Sequence, residues 1–177
     1  HGPPERHDHV VVAAGAYGLG LVRALGIDPP TVIRRCVTAR LSGRLVSRLT
    51  VVLDAQPDSA GSTDLSFTPF QGETILAEPD GDVVDAAGEE EVDQARLTRL
   101  LAAYGELDDR VGSLPVREAR YCYKLEVAST VPFLEFEILG QATSSSFPSW
   151  LTFTLPGKAT LALAMADRVA REILDRA

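Results

Sequence analysis

An apolar, strand-like run that leads through glycine into a helical stretch occurs near both ends of the chain. Residues 10–15 are apolar without alternation, which predicts a strand buried on both faces of a parallel sheet, and residues 19–25 predict a short helix ended by Gly26. Residues 150–155 predict a second strand, and residues 159–176 predict an amphipathic helix. We therefore expect the two ends to build one α/β layer.

The segment between these ends is rich in β-branched residues and alternates between apolar and polar positions. Its predicted strands are residues 31–41, 45–53, 64–67, 73–77, 116–127 and 133–139. The first two predict one antiparallel hairpin, and the third and fourth predict another. Residues 89–104 place apolar side chains at helical spacing and predict a helix. The sequence thus predicts an α+β fold, with a mainly antiparallel β domain over residues 31–144 and an α/β layer over residues 1–30 and 145–177.

The composition argues against several classes of function. The formal net charge is −8 and the chain has no run of five or more basic residues, so we expect no nucleic-acid partner, because phosphate binding needs grouped cations. The histidines are His1, His7 and His9, so the body of the chain offers no imidazole and we expect no metal site. No run approaches the ~20 apolar residues of a membrane span, and the start does not resemble a signal peptide. We expect a cytoplasmic protein.

The cysteines Cys36 and Cys122 lie far apart in the sequence, each within a strand-like run. Two buried, reduced thiols are the favoured interpretation, and a disulfide between them is the alternative. Neither cysteine has a neighbouring histidine, so neither is assigned a role as a nucleophile.

The turn before the last helix has the composition of a ligand-binding turn. It consists of Pro156, Gly157, Lys158, Ala159 and Thr160. Glycine lets the backbone approach a ligand closely, and a helix N-terminus offers N–H donors and partial positive charge. The lysine adds a cation and the threonine a hydroxyl. An ordinary surface turn is the alternative.

Two motifs resemble the D-amino-acid-oxidase-like flavoprotein superfamily, which includes glycine oxidase, sarcosine oxidase and glycerol-3-phosphate dehydrogenase. The first is VVVAAGAY at residues 10–17, followed by LVRALGI at residues 21–27. The second is LPGKATL at residues 155–161, which is similar to the glycine-rich turn that opens the last helix of those proteins. The resemblance covers both ends of the chain and, between them, mainly the β-rich pattern.

The resemblance implies an FAD cofactor, and the chain ends would then be a remnant of the FAD-binding domain. The implied cofactor contacts are Gly15, Ala16, Tyr17, Pro156, Gly157, Lys158, Ala159 and Thr160. Residues 31–144 would belong to the substrate-binding domain. The implied reaction transfers a hydride from a small amine or hydroxy compound to the flavin.

The chain departs from the superfamily because it has no GxGxxG turn for the FAD pyrophosphate. Residues 15–20, GAYGLG, contain glycines at the wrong spacing. We therefore expect the C-terminal portion of a flavoenzyme, which needs an N-terminal GxGxxG half or a partner chain and is inactive alone.

Candidate substrate-binding residues lie on the predicted strand 116–127. A carboxylate substrate would need a cation, and Arg120, Tyr121 and Tyr123 are the candidates, with Arg117 and Lys124 nearby. Strand alternation places Tyr121 and Tyr123 on the face opposite Arg120. Arg34 and Arg35 are weaker candidates of the same kind, and a charged outer sheet face is the alternative for the whole group.

Two other functions are compatible with the sequence. The chain is a non-enzymatic β-rich binding or oligomerisation domain if the end motifs are coincidental. It is an inactive flavoenzyme remnant if they are inherited without activity.

Overall fold

The computed structural model describes residues 5–53, 64–79, 81–127, 137–140, 147–155 and 162–175. It divides into two compact units, one of His1–Ile33 with Leu125–Ala177 and one of Arg34–Lys124.

The described strands are β1 (Val10–Val12), β2 (Thr31–Leu41), β3 (Thr50–Val52), β4 (Leu65–Phe70), β5 (Glu73–Ala77), β6 (Asp82–Val84), β7 (Val116–Val127), β8 (Glu137–Leu139) and β9 (Leu151–Leu155). The described helices are α1 (Gly15–Ala24), α2 (Gln94–Gly105) and α3 (Ala162–Leu174), with a short 3-10 helix at Asp109–Ser113. The α+β fold predicted from the sequence is confirmed.

The first unit contains a three-stranded sheet in the order β1-β9-β8. β1 is parallel to β9, with Val10 opposite Leu151 and Val12 opposite Phe153, so the two chain ends share one sheet as expected. β8 is antiparallel to β9, so Glu137–Leu139, which we had grouped with the middle of the chain, belongs to this sheet. The rest of that predicted strand, residues 133–136, lies outside the described residues.

The expectation that residues 10–15 form a strand buried on both faces is wrong. Val10 and Val11 are 39% and 41% exposed, whereas every residue of β9 is buried. The reason is position in the sheet: among the described strands β9 is central and β1 pairs only with it. An apolar run predicts a strand, but its neighbours decide how deeply it is buried.

Helix α1 approaches this sheet closely at Gly18. A Cβ at this position would lie 2.8 Å from Val12 Cγ1 and 3.3 Å from Phe153 Cε2. The helix begins at Gly15, earlier than predicted, and ends where expected, because Gly26 has a φ of +78° and its N–H donates to the Arg23 carbonyl over 2.9 Å. Gly18 therefore allows the close contact of helix and sheet.

The second unit contains a six-stranded sheet in the order β3-β4-β5-β2-β6, with β7 paired to β2. The predicted pair β4–β5 is confirmed as a hairpin with a two-residue turn at Gln71 and Gly72, whose φ values of 49° and 84° are those of a type I′ turn. The predicted hairpin of residues 31–41 and 45–53 is wrong. β2 pairs with β5, and β3 pairs with β4.

Helix α2 covers one face of this sheet. The predicted helix of residues 89–104 begins later, at Gln94, because the Asp93 carboxylate accepts a hydrogen bond from the Ala95 N–H over 2.9 Å and so caps the helix. Tyr104 is fully buried, and its hydroxyl accepts from the Ser66 N–H over 2.9 Å and donates to the Ala77 carbonyl over 2.9 Å. One side chain of α2 thus bonds both strands of the β4–β5 hairpin.

Substitution of Gly18 is expected to reveal the close contact between α1 and the sheet. Alanine at an exposed helical glycine stabilises by roughly 0.5–1 kcal/mol, whereas overpacking costs about 1–3 kcal/mol. Gly20 is the matched control, since a Cβ there meets nothing within 4 Å. We expect Gly18→Ala to be less stable than Gly20→Ala by about 1–3 kcal/mol in urea denaturation. Equal stability of the two variants would contradict the contact.

Candidate functional site

The start of α1 carries the predicted cofactor residues that the structure describes. No side chain caps this end of the helix, and its first turn has no acidic residue. Gly15 has a φ of +55° with nothing within 4 Å of a Cβ position, Ala16 is buried, and Tyr17 is 60% exposed. The helix dipole and the N–H groups of this turn therefore suit an anionic or electron-rich group next to Tyr17.

The second predicted cofactor segment is the turn of Pro156, Gly157, Lys158, Ala159 and Thr160. It lies outside the described residues, so the structure provides no geometry for it. The strand before it, β9, and the helix after it, α3, are both present as the sequence predicts. In α3, Met165 and Val169 are buried and Ile173 packs against them.

The predicted substrate residues are separated by the structure. The Tyr121 ring lies 4.7 Å from the Arg35 guanidinium and 5.8 Å from that of Arg96, and its hydroxyl accepts from the Asp93 N–H over 3.2 Å. These contacts place Tyr121 on the face of the sheet that carries α2. The Tyr123 side chain is half-buried, with its hydroxyl 4.0 Å from a Cβ position at Gly88. Tyr121 therefore contributes to packing in the second unit.

Arg120 differs from these tyrosines because its side chain is 75% exposed. Among the described residues, the acidic group within ion-pair range of its guanidinium is Glu118, at 3.9 Å, which is too long for a hydrogen bond. Arg117, by comparison, pairs with Glu73 at 2.7 Å, and Arg40 pairs with both Glu73 and Glu118 at 3.1 and 3.0 Å. Of Arg40, Arg117 and Arg120, Arg120 thus has the longest ion-pair distance in the described part of the chain.

The remaining basic candidates have structural contacts. Arg34 donates to the Gly81 carbonyl over 3.3 Å, and Lys124 donates to the Pro79 carbonyl over 3.4 Å. Arg35 forms ion pairs with Glu90 and Asp82. These side chains join the strands to the loops beside them.

Arg120 lines a cleft of about 570 Å³ in the second unit. One side of the cleft is formed by five consecutive residues of β7, 116–120. The other side is formed by Glu90, Glu91, Val92, Gln94 and Leu97, around the start of α2. Residues with cationic and with carboxylate side chains are both among those that line the cleft.

The sequence analysis missed a buried charge cluster centred on Arg96. The Arg96 side chain is 8% exposed, and its guanidinium pairs with Glu78 at 2.7 Å, pairs with Asp82, and donates to the Arg35 carbonyl over 3.0 Å. Glu78 also accepts from the Val37 N–H over 2.9 Å. Burial acts to lower the pKa of Arg96, but the hydrogen bonds and charges of Glu78 and Asp82 outweigh it and raise the pKa above its ordinary value.

A signal for this cluster was present in the helical pattern. Arg96 occupies the apolar stripe of α2, four residues before Leu100 and eight before Tyr104, both of which are buried. A lone arginine on a buried stripe needs partners, because an unpaired buried charge costs several kcal/mol. The carboxylates that pair with it lie 14 and 18 residues earlier in the chain, beyond the range of helical spacing.

The described residues contain no candidate metal-binding group and no helix suited to cross a membrane. Within them there is no group of three or more His, Cys, Asp or Glu side chains placed to hold a metal ion. None of the helices in the described part of the chain has the length and apolar character required to cross a bilayer. His9 is hydrogen bonded to Thr152 Oγ1 over 2.9 Å.

Comparison with known proteins gives a result for the fold. No protein-family model matches the chain, and no curated protein matches its sequence. The open form of NikD, an unusual amino acid oxidase essential for nikkomycin biosynthesis, is 18% identical with a TM-score of 0.60, covering 85% of this chain and 40% of NikD. Iminodiacetate oxidase from Chelativorans sp. BNC1 is 16% identical with a TM-score of 0.59, covering 90% of this chain and 40% of the oxidase. Glycine oxidase from Geobacillus kaustophilus is 16% identical with a TM-score of 0.50, covering 82% of this chain and 35% of that enzyme.

The chain therefore has the fold of part of an amino acid oxidase. The predicted D-amino-acid-oxidase-like architecture is confirmed at the level of the fold. The chain spans about 40% of the length of NikD and of iminodiacetate oxidase, so it corresponds to a portion of each.

Removal of the Arg96 charge is expected to destabilise the protein strongly. Arg96→Gln leaves Glu78 and Asp82 without their main partner, and breaking a buried ion pair costs about 3–5 kcal/mol. Arg120→Gln is the control, since loss of an exposed charge changes stability by about 0.5 kcal/mol or less. Urea denaturation of both variants measures the difference. A decrease of less than about 1 kcal/mol in the free energy of unfolding of Arg96→Gln would mean that water solvates the charge cluster.

Proposed function

We propose that this chain is part of an FAD-dependent oxidoreductase that oxidises a small amine or hydroxy compound by hydride transfer to the flavin. The observation that carries the proposal is the fold: 85% of the chain matches NikD and 90% matches iminodiacetate oxidase. The motifs at residues 10–17 and 155–161 support it, because both resemble segments of this superfamily of flavoproteins. An amine is favoured over a hydroxy compound, since the enzymes of similar fold are named as amino acid, iminodiacetate and glycine oxidases.

The start of α1 fits a flavin-binding role. When bound, FAD supplies the electron acceptor for the hydride. Gly15 and Ala16 would present backbone N–H groups at the positive end of the helix, and the exposed Tyr17 ring would cover the cofactor. Gly157 and Lys158 would act similarly at the second turn, on the evidence of their sequence alone. These groups stabilise negative charge on a bound ligand.

The proposal includes a second segment of polypeptide. The pyrophosphate of FAD is held by a GxGxxG turn in enzymes of this class, and this chain has none. The chain also matches only 40% of NikD. We therefore infer that an N-terminal GxGxxG half, in the same polypeptide or in a partner chain, supplies the remaining contacts.

The isolated chain is expected to bind FAD weakly. Without the pyrophosphate turn only the flavin-side contacts remain, so we expect a Kd above about 1 µM, equivalent to roughly −8.2 kcal/mol or weaker. Titration followed by flavin fluorescence measures it. The matched arm is the chain joined to a GxGxxG half, which we expect to retain FAD through purification. Tight binding of FAD by the isolated chain would contradict the proposal that a GxGxxG half supplies the pyrophosphate contacts. Loss of FAD from the joined protein would favour an inactive remnant.

Arg120 is the residue that we propose to bind the substrate carboxylate. Its guanidinium is exposed and weakly paired, and the residue borders the cleft described above. A planar guanidinium can donate two parallel hydrogen bonds to a carboxylate. Tyr121 is less suited than the sequence indicated, because its hydroxyl and ring are engaged within the second unit.

Loss of the Arg120 guanidinium is expected to weaken substrate binding in the FAD-containing protein. Hydrogen bonds to charged groups are worth roughly 1.5–3 kcal/mol, so Arg120→Gln should raise KM about 10- to 150-fold for a carboxylate substrate. Arg117→Gln is the control, since Arg117 is already paired with Glu73 at 2.7 Å. Equal KM values for the two variants would show that Arg120 does not bind the substrate carboxylate. The proposal that the protein binds FAD would be unaffected.

A further inference from the structure

Strands β2 and β7 are neighbours in the sheet of the second unit, and their contacts define their relative direction. Arg40 on β2 pairs with Glu118 on β7 at 3.0 Å. Thr38 lies two residues before Arg40 on β2, and Arg120 lies two residues after Glu118 on β7. The Thr38 hydroxyl donates to the Arg120 carbonyl over 3.1 Å. Between these two contacts the residue number decreases on β2 and increases on β7, so the two strands are antiparallel.

The next step in this register brings the two cysteines together. Cys36 lies two residues before Thr38, and Cys122 lies two residues after Arg120. Steps of two keep side chains on one face, so both thiols lie on the face that carries Arg40 and Glu118. Directly opposed residues on antiparallel strands have Cα atoms about 4.5–5.5 Å apart, within the ~4.4–6.8 Å range of disulfides. Residues distant in sequence are therefore placed at bonding range.

The two thiols differ in their access to solvent. Cys36 is buried and Cys122 is exposed, and both are free thiols in the structure. Burial raises the pKa of Cys36; Lys124 opposes the rise, and Glu78 and Cys122 add to it. That influence of Cys122 is consistent with the register of β2 and β7. A soluble oxidant would therefore reach Cys122 first, and Cys36 would stay protonated in the resting state.

We propose that Cys36 and Cys122 form a reversible disulfide, in which hydrogen peroxide oxidises Cys122 and Cys36 resolves the product. The Cys122 thiolate attacks one peroxide oxygen, an S–O bond forms, the O–O bond breaks, and the departing hydroxide takes a proton to become water. The Cys36 sulfur then attacks the Cys122 sulfur, the S–S bond forms, and the S–O bond breaks. The hydroxyl leaves as water with the Cys36 proton. In total, two thiols are oxidised by two electrons and one peroxide is reduced to two waters.

The disulfide would join two strands that are distant in sequence. Closing a long loop with a covalent bond lowers the entropy of the unfolded chain and so stabilises the folded unit. The bond would lie two residues from Arg120, on the same face of β7. Oxidation would thereby fix the position of this part of β7 relative to β2.

The test is peroxide treatment of the full folded chain, followed by thiol titration and intact-mass measurement. We expect the loss of both titratable thiols and of two hydrogen atoms, a monomer on a non-reducing gel, a higher melting temperature, and full reversal by dithiothreitol. Two thiols remaining after treatment, or a bond formed only between chains, would overturn the proposal.

Single variants identify the order of the steps. In Cys36→Ala we expect Cys122 to accumulate as a sulfenic acid that dimedone traps, since its partner is missing. In Cys122→Ser we expect Cys36 to resist peroxide under native conditions. Circular dichroism before treatment confirms that each variant is folded, and the wild-type mass measurement decides the proposal if either is not. Peroxide reaction of Cys36 in the absence of Cys122 would contradict the order proposed.

Discussion

The parallel pairing of β1 with β9 is the contact on which the first unit depends. It joins residues near the two ends of the chain, with Val10 opposite Leu151 and Val12 opposite Phe153. Bringing together segments so distant in sequence costs closure entropy, which the buried strand β9 and the helix packed at Gly18 must offset. The polypeptide between them, Arg34–Lys124, forms a compact unit of its own.

The second unit depends on a small number of buried polar groups in addition to its apolar core. The Tyr104 hydroxyl bonds β4 and β5, and Arg96 joins α2 to the segments around Glu78 and Asp82. Groups of this kind are costly when unpaired, so they favour the one arrangement that pairs them. They explain why charged residues near the candidate site have structural roles. Arg120 is exposed and only weakly paired, and we propose it as the residue that binds a ligand.

The sequence was sufficient for elements whose signals are local, and insufficient where the answer depends on distant partners. The β4–β5 hairpin and helix α2 follow from turn residues and helical spacing. The wrong β2–β3 hairpin came from alternation, which identifies the face of a strand and not its neighbour. Cys122 was expected to be buried and is exposed, whereas Cys36 is buried, because the pattern within a strand does not reveal which positions other elements cover. The assignment of the start of α1 to a cofactor came from its motif and stays a proposal, whereas the Arg96 cluster requires carboxylates from other elements.

Anaerobic mixing of the joined, FAD-containing protein with small amines tests the central claim most directly. The account predicts that the visible absorbance of the oxidised flavin is bleached by an amine that carries a carboxylate, because the hydride passes to the flavin without oxygen. The same amine without its carboxylate should bleach the flavin more slowly, since the contact with Arg120 is lost. A protein that holds FAD but is bleached by no amine or hydroxy compound, while dithionite reduces it normally, would contradict the proposed oxidoreductase.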